Sequence, residues 1–229
     1  MNNDHIKCNH EYDCRCYPKY FKEEGYSLNP KSYKDVPGWI NDPEFNYEEI
    51  VNEAKDGDYF VEIGTFLGQS TSRMGELIKD SGKKIKFDAI DLFWLIPHTI
   101  KNYHQAGHPY QFCEYLNMLE DLGCDPRDVT GHSLRELKVD KYVNLITCDE
   151  KYAHRLYDDD SLKFVWIDGD HGPDVVYNHL VNFWPKLKIG GVIGGDDIEY
   201  QDVLDDVKKF TKEKNIKIAY SHNGFKIIK

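Results

Sequence analysis

The sequence predicts an α/β fold: a seven-stranded, mostly parallel sheet covered by helices, with an antiparallel last strand. Three observations carry this. Short apolar runs alternate with segments whose apolar residues recur at helical spacing. The first run ends in a glycine turn, Gly64 to Gly68, that opens a helix. The chain closes with two apolar runs, 216–220 and 225–228, around Asn223-Gly224, a hairpin signal that reverses the final strand.

Composition sets the class. The chain has 229 residues, 40% of them hydrophobic and 14% aromatic, enough for one domain with a core of its own. A net charge of -11 and no evident basic cluster argue against a nucleic-acid partner. No apolar run approaches the ~18 residues a spanning helix needs. The opening MNNDHIKCNH lacks the apolar stretch of a signal peptide, so a cytoplasmic protein without a membrane partner is expected. The six cysteines are then expected as free thiols or metal ligands. His5, Cys8, His10, Cys14 and Cys16 crowd the amino terminus, and thiolate with imidazole suits zinc. The Cys14, Cys16 spacing departs from the usual zinc pair, so a polar tail carrying reduced thiols is the simpler reading.

Residues 1–44, with Pro18, Pro30, Pro37 and Pro43, read as an irregular arm packed by tyrosines and Trp39; residues 45–229 read as the main domain. Asn46 and Glu49 resemble a capping box for a helix with Ile50, Val51 and Ala54 on one face, stopping at Gly57. A strand over 59–63, a helix over 70–79 with Met74, Leu77 and Ile78 aligned, and a strand over 85–90 form a βαβ unit ending at Asp91. The insertion over 92–142, with one helix near 110–122, is expected to act as a lid on the acceptor site. A strand over 143–148, a short helix over 151–157 and a strand over 164–167 follow. Pro173 fits the first position of a helix carrying Val176, Leu180 and Phe183, closed by Gly190 and Gly191 before a strand at Val192 and Ile193. Val203, Val207 and Phe210 mark the last helix.

Two motifs carry chemistry. In Val61-Glu62-Ile63-Gly64-Thr65-Phe66-Leu67-Gly68-Gln69-Ser70-Thr71, the glycines let backbone approach a ligand, and the helix opened by Ser70 offers amides to a carboxylate. A dinucleotide fingerprint needs a glycine where Phe66 stands, which disfavours pyrophosphate. Asp91, ending the second strand, is placed to accept bonds from ribose hydroxyls. The second motif is Phe164-Val165-Trp166-Ile167-Asp168-Gly169-Asp170-His171, then Trp184 to Gly191, then Gly194-Gly195-Asp196-Asp197. Asp168 and Asp196 end strands expected to be neighbours ~4.8 Å apart, so their carboxylates can converge. Acids gathered there repel unless a cation joins them, and magnesium prefers such oxygen ligands. Capping of the following helices is the alternative role for these aspartates.

On these residues the chain resembles the class I S-adenosylmethionine-dependent methyltransferases, and among them the macrocin and other sugar O-methyltransferases. The resemblance spans about 57–229 and is best over 159–197. It implies a Rossmann-like fold and cofactor contacts from Glu62, Gly64, Thr65, Phe66, Gly68, Ser70, Asp91, Asp149 and Asp168. Asp149 and Glu150 fall where the family holds adenine, although Cys148 stands where glycine is commoner. It further implies that Asp168, Asp196 and Asp197 bind Mg2+ or another divalent cation, as in catechol O-methyltransferase. Catalysis then rests on Asp168 and on Asp170 or His171 as the base for the acceptor hydroxyl, between which the sequence does not choose. His98, His104 and His108, with Tyr103 and Tyr110, line the acceptor pocket in one reading and the surface in the other. The expected partner is a small-molecule hydroxyl acceptor such as a sugar, with a homodimer left open. Two other readings stay open: a non-catalytic protein that binds S-adenosylmethionine, and a metal-dependent hydroxylase-like or nicotinamide enzyme on a similar sheet.

Overall fold

The computed structural model describes residues 29–38, 40, 47–93, 125–220 and 223–229. The amino-terminal Cys/His group, Trp39, Asn46, the expected helix near 110–122, and His98, Tyr103, His104, His108 and Tyr110 lie outside the described residues.

Seven strands form one sheet: β1 Tyr59–Ile63, β2 Lys86–Asp91, β3 Asn144–Thr147, β4 Leu162–Ile167, β5 Leu187–Gly195, β6 Ala219–Tyr220 and β7 Phe225–Ile228. Their spatial order is β3-β2-β1-β4-β5-β7-β6. β1 pairs parallel with β2 and β4, β2 with β3, and β4 with β5, while β7 runs antiparallel to β5 and β6. The expected alternation and the reversed last strand are both present. The central strands are buried on both faces, which explains their continuous apolar runs: Phe60, Val61 and Ile63 in β1, and Phe164, Val165, Trp166 and Ile167 in β4.

Among the described residues, α1 Tyr47–Glu53, α2 Gln69–Ser81 and α3 Pro126–Glu136 pack with one core cluster, containing Ile50, Met74, Ile78, Leu134 and Trp166. α4 Glu150–Ala153, α5 Val175–Phe183 and α6 Gln201–Lys214 pack with the other, containing Ala153, Leu180, Phe183, Val207 and Phe210. The result is a three-layer sandwich. No described helix is long and apolar enough to cross a membrane.

Several boundaries differ from expectation. The insertion holds a helix, α3, just beyond the one expected. Its start is specified by Asp125, whose side chain accepts from the Arg127 amide at 2.8 Å, and by Pro126 at the first position. Thr130, Gly131, His132 and Ser133 are weak helix formers, and they blur its apolar stripe. Pro173 does not open α5; Asp174, left-handed at φ 62°, precedes it. Gly190 and Gly191 do not close that helix either. They lie inside β5, where the register jumps from Leu162 opposite Leu187 to Phe164 opposite Val192. Residues 188–191 bulge out, and Gly190 supplies the left-handed φ of 74° that the bulge needs. The strand expected over 216–220 shortens to Ala219–Tyr220.

What this topology positions is one edge. The chain runs from β1 outward to β3, then returns to β4 on the other side of β1, so the strand order reverses between β1 and β4. Ligands of open α/β sheets sit outside the carboxyl ends of the strands at such a switch point. Gly64 and Asp168 are the residues that leave the sheet there.

Candidate active site

The turns after β1 and β4 interlock. The Asp168 amide donates to the Ile63 carbonyl at 2.7 Å, and a Cβ on Gly64 would fall 1.8 Å from the Asp168 carbonyl oxygen. Gly64 also has φ 86°, so conformation and space both demand glycine. Gly68 has φ 91°, and a Cβ there would meet Thr130 Cγ2 of α3 at 2.6 Å. The Cβ positions of both glycines are thus filled by protein atoms.

Asp91 organises the loop beside them. Its Oδ2 accepts from the Thr65 amide at 2.8 Å and the Phe66 amide at 2.9 Å, and its Oδ1 from the Phe93 amide at 2.7 Å. A carboxylate offers about four lone-pair sites, so three amides leave about one for a ribose hydroxyl. Phe66 and Phe93 both have left-handed backbones, φ 49° and 51°. Such conformations are costly for bulky residues. Thr65 is buried at 3% exposure, and its Oγ1 has no hydrogen-bond partner among the described residues. α2 carries no side-chain cap, which leaves its first amides available to an anion.

Glu62 lies beneath this loop rather than in it. It is 1% exposed, with Thr71 Oγ1 and the Tyr47 hydroxyl donating to its two oxygens and Ser70 adding a further bond. Burial pushes its carboxyl up to about 7, against the pull of those hydroxyls. Asp149 caps α4, accepting from the Lys151 amide at 3.0 Å, and is exposed.

On the other side of the switch point stand the acids of the second motif. Burial raises the Asp168 carboxyl well above its usual range, and the charges of Asp196, Asp197, Glu62 and Asp91 add to it. The group whose ligand atoms all lie within 4.8 Å of one another is Asp168, His171 and Asp197. Asp196 stands outside that group. It turns back so that its Oδ1 accepts from the Asp197 amide at 2.9 Å, whereas Asp197, left-handed at φ 61°, reaches His171. His171 Nε2 lies 2.7 Å from Asp197 Oδ2 yet makes no aligned hydrogen bond. Burial pulls the imidazole pKa down, but the adjacent Asp197, with Asp170 and Glu150, more than offsets this and the net shift is upward. Asp170 is not brought into the group: it is exposed, and its Oδ1 accepts from the Gly172 amide at 3.0 Å.

Three more residues shape this region, of which Glu150 was expected beside adenine. Glu150 accepts from the Asp170 amide at 3.3 Å and lies so close under Gly169 that a Cβ there would be 1.9 Å from Oε2. Burial alone would raise its pKa, but His179, the Asp170 amide and His171 reverse the direction, leaving it lowered. His179, 4% exposed, shares helical spacing with Val176, Leu180 and Phe183 and so reads as core. Tyr200 stacks on His171, ring centroids 5.4 Å apart and planes 2° from parallel.

Comparison with known proteins agrees with this fold. A family profile described as "Methyltransferase domain" matches residues 61–198. No curated protein sequence matches the chain. Among solved structures, the O-methyltransferase NovP is 16% identical with a TM-score of 0.57, covering 81% of this chain and 78% of its own. A SAM-dependent O-methyltransferase from Thermotoga maritima is 13% identical, TM-score 0.51, covering 93% and 71%. A Streptococcus mutans protein solved in complex with SAH is 14% identical, TM-score 0.54, covering 83% and 99%. At these identities the likeness shows the fold alone.

Proposed function

The chain belongs to the methyltransferase-domain family, and from that premise we propose that it moves the methyl group of S-adenosylmethionine onto a hydroxyl oxygen of a small molecule, such as a sugar, with a divalent cation assisting. One observation carries the reading: Asp168 serves both halves of the site. Its backbone closes against the Gly64 turn, and its carboxyl faces Asp197 and His171.

The residues present suit both absent groups. The buried, unpartnered Thr65 hydroxyl and the uncapped start of α2 suit a polar, carboxylate-bearing ligand beside Asp91, as S-adenosylmethionine is. Two carboxylates and an imidazole are a donor set for a divalent cation, and an ion would relieve the repulsion that Asp168 feels. When bound, the cofactor supplies an electrophilic methyl and the cation acidifies the acceptor hydroxyl.

The remaining work falls to this chain. Asp91 fixes the 65–66 backbone that would hold the cofactor, and the interlocked turns keep it at a set distance from Asp168. Methyl transfer is an in-line displacement, and a fixed spacing between the two turns would serve the alignment it needs. Asp170 and His171 stand on the loop after β4 and are the two candidates to take the hydroxyl's proton; His171 is the one brought beside Asp168.

The test is transfer of label from methyl-labelled S-adenosylmethionine to a panel of sugars and other vicinal hydroxyl compounds, with and without a chelator. Transfer that stops on chelation supports the whole reading. Cofactor binding with no transfer to any acceptor replaces it with a non-catalytic binding protein, and transfer that survives chelation removes the cation.

A further inference from the structure

The carboxylates after β4 and β5 are not the only donors aimed at the point between them. His171 contributes a buried Nε2 that makes no aligned hydrogen bond, although Asp197 Oδ2 is 2.7 Å away. A lone imidazole beside a carboxylate would ordinarily turn to donate to it. Here the ring is packed against another. Tyr200 lies flat on it, 5.4 Å between centroids and 2° from parallel, and Tyr200 is itself tied to the same turn, its amide donating to the Asp197 carbonyl at 2.9 Å. Asp196, which the motif would offer as a third oxygen donor, is turned toward the Asp197 amide.

We infer that His171 is a ligand of the cation site, completing an imidazole and two-carboxylate set with Asp168 and Asp197, and that Tyr200 is the positioning residue that holds the ring for it. This deepens the function proposed above and rests on its cation. Oxygen-only sites suit magnesium, whereas an imidazole shifts preference toward first-row transition ions such as Co2+. Removing a group that orients a ligand costs 10–100-fold in metal affinity. With His171 occupied as a ligand, Asp170 is the candidate base that remains.

The experiment uses the full chain and cobalt as the probe, with three variants. Titration calorimetry gives Co2+ and Mg2+ affinities. Proton NMR of the Co2+ form reads a contact-shifted exchangeable imidazole proton, which appears when a histidine coordinates through Nε2. The wild type is expected to show that resonance and to favour Co2+ over Mg2+. His171→Asn, which keeps an oxygen donor, is expected to lose the resonance and about ten-fold or more in Co2+ affinity while Mg2+ affinity changes little. Tyr200→Ala is expected to weaken Co2+ binding about ten-fold, and Tyr200→Phe, which keeps the ring, to restore it within about two-fold. A His171→Asn protein that retains the resonance and binds Co2+ as the wild type does overturns the assignment, and so does equal binding by Tyr200→Ala. Label transfer is measured separately. Cation binding with these signatures and no methyl transfer leaves the ligand assignment standing and sinks the function, while methyl transfer with no cation binding does the reverse.

Discussion

Gly64 and Asp168 occupy one another's space: the position of a β-carbon on the first is 1.8 Å from the carbonyl oxygen of the second. Neither backbone can yield without opening the sheet between β1 and β4, because the Asp168 amide is already bonded to Ile63. Gly64→Ala is therefore expected to destabilise by more than about 3 kcal/mol, through a left-handed φ and a backbone clash together. Gly57 provides the control. It has φ 88° but nothing within 4 Å of its Cβ position, so Gly57→Ala is expected to cost only about 1 kcal/mol. Urea unfolding of the two variants checks the difference, and equal losses would contradict the interlocked turns.

Asp168→Asn keeps the backbone that closes the Gly64 turn and removes the charge. Label transfer is expected to fall by about a hundred-fold or more, while S-adenosylmethionine affinity stays within about five-fold of wild type. Turnover that persists would show that the carboxylate is not used.

Glu62 predicts a pH signature in stability. Its carboxyl titrates at about 7 when folded against an ordinary value of 4.5, so between those values the folded protein holds a proton that the unfolded chain has released. Its contribution is fully present below the unfolded value and is lost as pH rises through the folded one, a decline of about 3 kcal/mol for the full shift. Glu62→Gln should flatten that slope. Denaturation midpoints of both proteins from pH 4 to 8 decide it, and parallel curves would place the ionisation elsewhere.

Much of the fold was legible because the strongest signals were local. The apolar runs of β1 and β4, the Gly64 turn, and the Asn-Gly hairpin each lie within about ten residues and correspond to what the chain forms. What failed depended on contacts distant in sequence. Gly190 and Gly191 look like a helix stop, yet they serve a bulge dictated by β4. The acidic motif named Asp168, Asp196 and Asp197 as one set, but adjacency in sequence could not say that Asp196 would accept its neighbour's amide or that His171, 26 residues earlier, would stand beside Asp197. Tyr200 was hidden for the same reason, and Glu150 was read only toward adenine: nothing in their own segments announces the loop that each supports.

The two left-handed phenylalanines, Phe66 and Phe93, have their amides tied to the single carboxylate of Asp91. Strained backbone persists only where something over-determines it, and here that something is one side chain with about one acceptor site to spare. A ribose hydroxyl that took the remaining site on Asp91 would bond the same carboxylate that ties both loops. Hydrogen exchange at the Phe66 and Phe93 amides is expected to change on adding S-adenosylmethionine, and Asp91→Ala to leave both amides fast with or without it. Asp91 is, in this sense, a latch on both loops.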